Sequence, residues 1–118
     1  METTSENILK LLDDGQAAIQ EALPGVLESF MGFAQNVSQQ TLISPKTKEL
    51  MAVAVAVSIR CQPCITHHVR RALDLGATAA EILEACSVAV MMGGGPSVAY
   101  TSYVVQSLKD FQALPTSE

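Results

Sequence analysis

The chain has 118 residues, which fits one domain (1–118) with one core. Apolar residues make up 48% and charged residues only 16%, so little polar surface is available to cover a monomer and a homo-oligomer is expected. The net charge of -5 excludes the basic footprint of a nucleic-acid binder, and with no basic cluster beyond Arg70-Arg71 a membrane-surface role is not expected.

The pattern is helical throughout. Ser5 suits the cap of a first helix carrying Ile8, Leu9, Leu12 and Ile19, with Asp13, Asp14 and Gly15 weakening its middle. Pro24 suits the first turn of a second helix, along which Val26, Leu27, Phe30, Met31, Ala34 and Val37 recur at helical spacing. Gln39 to Ser44 reads as a connection. Ser44-Pro45 then supplies a cap and a first-turn proline for a third helix running to about Arg60. Met51 to Val57 is apolar at every position, which predicts a helix buried on nearly all sides. Pro63 disfavours helical geometry at Gln62, so the third helix is expected to end there. A fourth helix opens with Pro63 in its first turn and continues to Leu75, with Ile65, Val69, Ala72 and Leu73 inward and Gly76 as its stop.

Thr78-Ala-Ala-Glu81 is a capping box for a fifth helix whose stripe is Ile82, Leu83, Cys86, Ala89 and Val90. Gly93 to Gly95 breaks that helix and either shapes a pocket wall or simply stops it; Pro96 opens a sixth, ending near Phe111. The first few residues and Leu114 to Glu118 are expected to fray. Met1 to Glu6 has no signal-peptide character, and the apolar run Leu50 to Val57 is far short of the roughly 20 residues of a membrane helix. A cytoplasmic location is therefore expected, where a CxxC is redox-active or metal-binding rather than a structural disulfide.

The chemistry concentrates at Cys61-Gln62-Pro63-Cys64, followed by His67-His68. With the fourth helix starting at Gln62 or Pro63, Cys64 lies in its first turn, where the positive end of the helix dipole favours thiolate. Cys61 lies just before the helix, close enough to attack an oxidised Cys64. His68 is one turn deeper on the same face and can accept the thiol proton and return it. Zinc is the rival, since Cys61, Cys64, His67 and His68 are all metal-ligand types, but adjacent histidines point roughly 100° apart on one helix. Cys86 falls on an apolar stripe and reads as a core thiol, His67 as structural or solvent-facing, and Tyr100 and Tyr103 as packing.

Glu49, eleven intervening residues, Cys61-x-x-Cys64, three residues and His68 resembles the signature of the carboxymuconolactone decarboxylase superfamily, and within it the alkylhydroperoxidase D branch. The resemblance spans about Ser44 to Gly95. It implies an all-α fold, a compact bundle of about six helices, assembled as a homo-oligomer (trimer or hexamer). It implies a thiol-dependent peroxidase or disulfide reductase, acting on a hydroperoxide or disulfide and restored by a thiol reductant, with no metal or organic cofactor. By matching position it makes Cys64 the attacking cysteine that becomes a sulfenic acid, Cys61 the resolving cysteine and proton donor, His68 the base, and Glu49 its orienting or relay partner. The alternatives are a lyase acting on a lactone-type carboxylic acid, whose relatives generally lack the CxxC, and a non-enzymatic oligomeric binding or metal module.

Glu49 meets a geometric obstacle. Twelve residues of helix between it and Cys61 span about 18 Å, so a simple antiparallel hairpin sets Glu49 beside the far end of the fourth helix, beyond His68. Crossing helices, service to a neighbouring subunit's site, or a role confined to its own helix start are the three expectations that follow.

Overall fold

Local chemistry sets most helix boundaries in this chain. The computed structural model describes residues 1–116, and among them lie six helices and no strand: α1 (Thr4–Ala22), α2 (Pro24–Val37), α3 (Pro45–Ser58), α4 (Gln62–Asp74), α5 (Ala79–Gly93) and α6 (Gly95–Asp110). The all-α bundle of six helices is as expected. Ser44 caps α3 by accepting from the Thr47 N–H, and Thr78 and Glu81 form the capping box of α5. At α1 the cap is Thr3, not Ser5, because Glu6 stands three residues later and bonds back to the Thr3 N–H at 3.1 Å. Asp13 to Gly15 do not interrupt that helix.

The joint between α3 and α4 differs from the proline-based expectation. The third helix ends at Ser58, and Gln62 is inside α4. The stop is made by Arg60, whose φ of 59° is left-handed. The Cys61 N–H then reaches the Ala56 carbonyl at 3.1 Å and the Arg60 N–H reaches Val57 at 3.2 Å. Cys61 therefore closes α3 with its backbone and caps α4 with its sulfur, which accepts from the Cys64 N–H at 3.2 Å. Gly76 repeats the same left-handed stop after α4, with φ of 92°.

The core lies between α3, α4, α5 and α6, where Val53, Val57, Ile65, Val69, Ile82, Cys86, Val104 and Leu108 are buried. Each large apolar side chain buried there contributes roughly 1.5–3 kcal/mol. Burial of α3 on all sides is not observed: Met51, Val55 and Ile59 are more than half exposed, because its neighbours α4, α5 and α6 leave one face of the helix free within a single chain. The glycine run stops α5, with Gly94 at φ 69°, and a Cβ at Gly93 would collide with the Ser97 side chain.

The α1–α2 hairpin is attached more lightly. Its one buried residue is Ser5, whose Oγ lies 3.2 Å from Ser107 Oγ and whose N–H donates to Asp110 at 3.0 Å. Ser107 continues to Thr66, so α1 is tied to α6 and α4 by a buried polar chain. The far end of α2 is held by Lys48, whose ammonium binds the Val37 and Gln39 carbonyls. Leu114 packs against the core rather than fraying, while Ser117 and Glu118 lie outside the described residues. No helix among the described residues is long and apolar enough to cross a membrane.

Gly76→Ala is expected to lower unfolding free energy by about 1–2 kcal/mol in urea titrations, since a Cβ there meets no atom within 4 Å and only the left-handed backbone is penalised.

Candidate active site

Helix α4 is two-faced. Ile65, Val69 and Ala72 point into the core, while Pro63, Cys64, His67, His68 and Arg71 line a cleft of about 480 Å³. Leu12 and Gln16 of α1 and Phe30, Met31, Ala34 and Gln35 of α2 form the opposite wall. The cleft is thus mostly apolar, with the titratable groups gathered on the α4 side.

Cys61 and Cys64 are joined as a disulfide, with their Cα atoms 5.2 Å apart. The two sulfurs are not equivalent. Cys64 sits in the first turn of α4 and lines the cleft; Cys61 is the N-cap and is not among the cleft residues. A Cys64 thiolate would lie against the positive end of α4, which lowers the cost of ionisation. His68 follows Cys64 by one turn on the same face.

Glu49 reaches this site within its own chain. Its Oε2 lies 2.6 Å from His68 Nδ1, and its Oε1 accepts from Arg71 Nε at 2.9 Å. Glu49 thus meets the middle and the last turn of α4 together, His68 being three residues, about 5 Å along the helix, nearer the joint than Arg71. This answers the geometric obstacle without a neighbouring subunit. Glu49 is buried, its side chain only 7% exposed. Burial pushes its carboxyl pKa up, but the hydrogen bonds from His68 and Arg71, with their charges, outweigh that and hold it below the ordinary value. As a carboxylate it can only accept, so His68 donates from Nδ1 and Nε2 is left as the basic nitrogen.

His67 lines the cleft rather than facing away from it, and burial followed by the charges of His68 and Arg71 lowers its pKa. Its ring meets that of His68 edge-on, with centroids 4.8 Å apart. Sequence reasoning missed Arg71 as a site residue. The signal was its spacing, three residues after His68 and seven after Cys64, which puts all three on one helix face. Arg70, its neighbour, turns away to pair with Asp74 and cover the Phe111 ring. Cys86 is a core thiol, its pKa pushed up to about 11 by burial. None of the three glycines at 93–95 lines the cleft. Among the described residues no three His, Cys, Asp or Glu side chains converge on a metal position.

An all-α bundle with a cysteine pair at one helix start and an anchored histidine one turn on defines the class of protein. Residues 24–106 match the model of the carboxymuconolactone decarboxylase family, and the chain belongs to that family. An uncharacterized protein of Cupriavidus necator is 34% identical over 97 residues, covering 82% of this chain and 83% of that protein. An uncharacterized protein of the cox locus of Paracoccus denitrificans is 34% identical over 83 residues, covering 70% of this chain and 75% of that one. The crystal structure of a carboxymuconolactone decarboxylase family protein from Legionella pneumophila aligns with a TM-score of 0.88 at 34% identity, over 91% of this chain and 96% of that one. A Thermotoga maritima structure at 24% identity shares the fold, with a TM-score of 0.83 over 90% of this chain and 93% of that one.

Two outcomes follow. In the reduced, folded protein iodoacetamide is expected to modify Cys64 well before Cys86, with denaturant exposing all three thiols, as read by peptide mass spectrometry. Because the folded-state pKa of Glu49 is depressed, its ionic contribution to stability is present above the unfolded value of 4.5 and lost as pH falls through the folded value. The stability gap between wild type and Glu49→Gln, measured by denaturant titration, should hold steady near neutral pH and narrow below about pH 4.5.

Proposed function

We propose that the protein is a thiol-dependent oxidoreductase, a peroxidase-like enzyme or disulfide reductase that cycles the Cys61–Cys64 pair. The observation that carries this reading is the unequal cysteine pair at the start of α4, with Cys64 alone on the cleft beside a histidine whose second nitrogen is anchored. In the reduced state His68 Nε2 takes the Cys64 proton. The thiolate attacks one oxygen of a hydroperoxide; an S–O bond forms and the O–O bond breaks. The departing alkoxide takes the proton from His68 and leaves as an alcohol. Cys61 then attacks the Cys64 sulfur, forming the disulfide and releasing water from the sulfenic acid hydroxyl and the Cys61 proton. An external dithiol exchanges with that disulfide and is itself oxidised, restoring both thiols. A disulfide substrate follows the same logic, with a thiol as the leaving group.

The apolar walls from α1 and α2 suit an organic rather than an inorganic oxidant. No step requires a metal or organic cofactor. A cytoplasmic setting, whose thiol pool keeps a CxxC reduced, fits the cycle. The exposed apolar faces of α2, α3 and α5, with Phe30, Phe33, Met51, Val55, Met91 and Met92, support a homo-oligomer, a trimer or hexamer, that covers them.

Hydroperoxide consumption with a dithiol supply is the test. Cys64→Ser should fall to the buffer rate, and a Cys64→Ser protein as fast as wild type would overturn the assignment. Cys61→Ser should complete one turnover and stall with Cys64 as a sulfenic acid trapped by dimedone. His68→Ala should lose about 10²–10⁴-fold in rate, the usual worth of a placed general base.

A further inference from the structure

We propose that Arg71 is a positioning residue for the thiol chemistry: through its Nε–H bond to Glu49 it holds the carboxylate that orients His68. The inference rests on the thiol-oxidoreductase reading and adds a fifth group to Cys61, Cys64, His68 and Glu49, one that acts at a remove from the sulfur.

The geometry is that of a divided carboxylate. Arg71 takes Oε1 and His68 takes Oε2, at 2.9 and 2.6 Å, so the two donors do not compete. Both donors stand on one face of α4, and the acceptor comes from α3. Rotation of the carboxylate away from His68 would break the Arg71 bond as well. A single hydrogen bond from His68 alone would leave the other oxygen of a buried carboxylate without a partner, which is costly.

The surroundings offer no substitute for Arg71. On α3, Lys46 is paired with Glu81 of α5, and Lys48 is spent on the Val37 and Gln39 carbonyls and Thr41. On α4, Arg70 is paired with Asp74, and His67 lies beside His68 with its pKa lowered, first by burial. From α1, Asp13 acts on His67 through its charge; α2 brings the uncharged Gln35 and Ser38 to the cleft; on α6, Asp110 is bonded to Ser5 and Gln106. Arg71 is thus the permanently charged partner of Glu49 among the described residues.

The sign of the pH effect follows. Burial pushes Glu49 up, and His68 and Arg71 together pull it down. Removing Arg71 leaves the burial and takes away one opposing partner, so Glu49 binds a proton at higher pH. A protonated Glu49 no longer anchors Nδ1–H as an anion, and His68 loses its fixed orientation toward Cys64. The defect therefore grows as pH falls and fades as pH rises.

The experiment is the rate of Cys64 alkylation by iodoacetamide in the reduced full chain, followed by mass spectrometry from about pH 4.5, the ordinary carboxylate value, to about pH 8.5. Arg71→Gln is expected to slow alkylation about twofold near the acid end, where a carboxyl titrating there is half protonated, and by no measurable amount near the alkaline end. Arg71→Lys, which keeps the charge, should recover most of the rate. In a Glu49→Gln background, Arg71→Gln should cause no further loss. A loss equal at all pH values, or losses that multiply in the double variant, would overturn the proposal. In turnover, Arg71→Gln should lower kcat and leave KM unchanged; a raised KM at unchanged kcat would make Arg71 a substrate contact and overturn it equally. Alkylation needs no hydroperoxide, so a wild type that alkylates as described yet consumes no hydroperoxide or disulfide sinks the functional reading and not the Arg71 linkage.

Discussion

A buried carboxylate shared between two helices is the interaction on which the site depends. Glu49 comes from the N-terminal half of α3, and its partners His68 and Arg71 come from the middle and end of α4. Ionised carboxylates are costly to bury alone, so Glu49 is stable only with both donors in place. That requirement fixes the rotation and register of α4 against α3. It also fixes the proton on His68 Nδ1, in a ring that lines the cleft. A structural demand and a chemical one are met by the same two hydrogen bonds.

The joint between the helices supplies the second half of the arrangement. Cys61 is at once the last residue of the α3 stop and the cap of α4. Its position is thereby set by backbone bonds, while Cys64 follows in the first helical turn and opens to the cleft. The motif spacing C-x-x-C thus does more than bring two sulfurs within bonding reach. It puts one sulfur outside a helix and the other inside it, in different fields and with different access.

The cleft exists because α1 packs on α4 and α6 while α2, packed on α1, stands across from α4 without joining the core. Their attachment is polar at Ser5 and Lys48, and their apolar side chains are spread between the cleft and the outer surface. A wall built this way can shape a pocket without adding to the α3–α6 core. The same apolar excess appears on the free face of α3 and the last turns of α5, the surface that composition alone marked as too large for a monomer.

Residue order by itself determined the six helices, because caps, first-turn prolines and left-handed stops act within a few residues of each boundary. Ser44, Thr78 and Gly76 were readable for that reason, and so was the placement of Cys64 and His68 one turn apart on a single helix. Arg60 was not readable as a stop, since a non-glycine residue enters the left-handed region only when surrounding bonds hold it there. The exposure of α3 was also hidden, because an apolar run does not say how many sides find a partner within the chain. The tertiary structure alone decided that Glu49 meets His68 and that Arg71 joins them. That contact depends on how two helices are rotated against each other and how far side chains reach across the gap, which no spacing along the chain encodes.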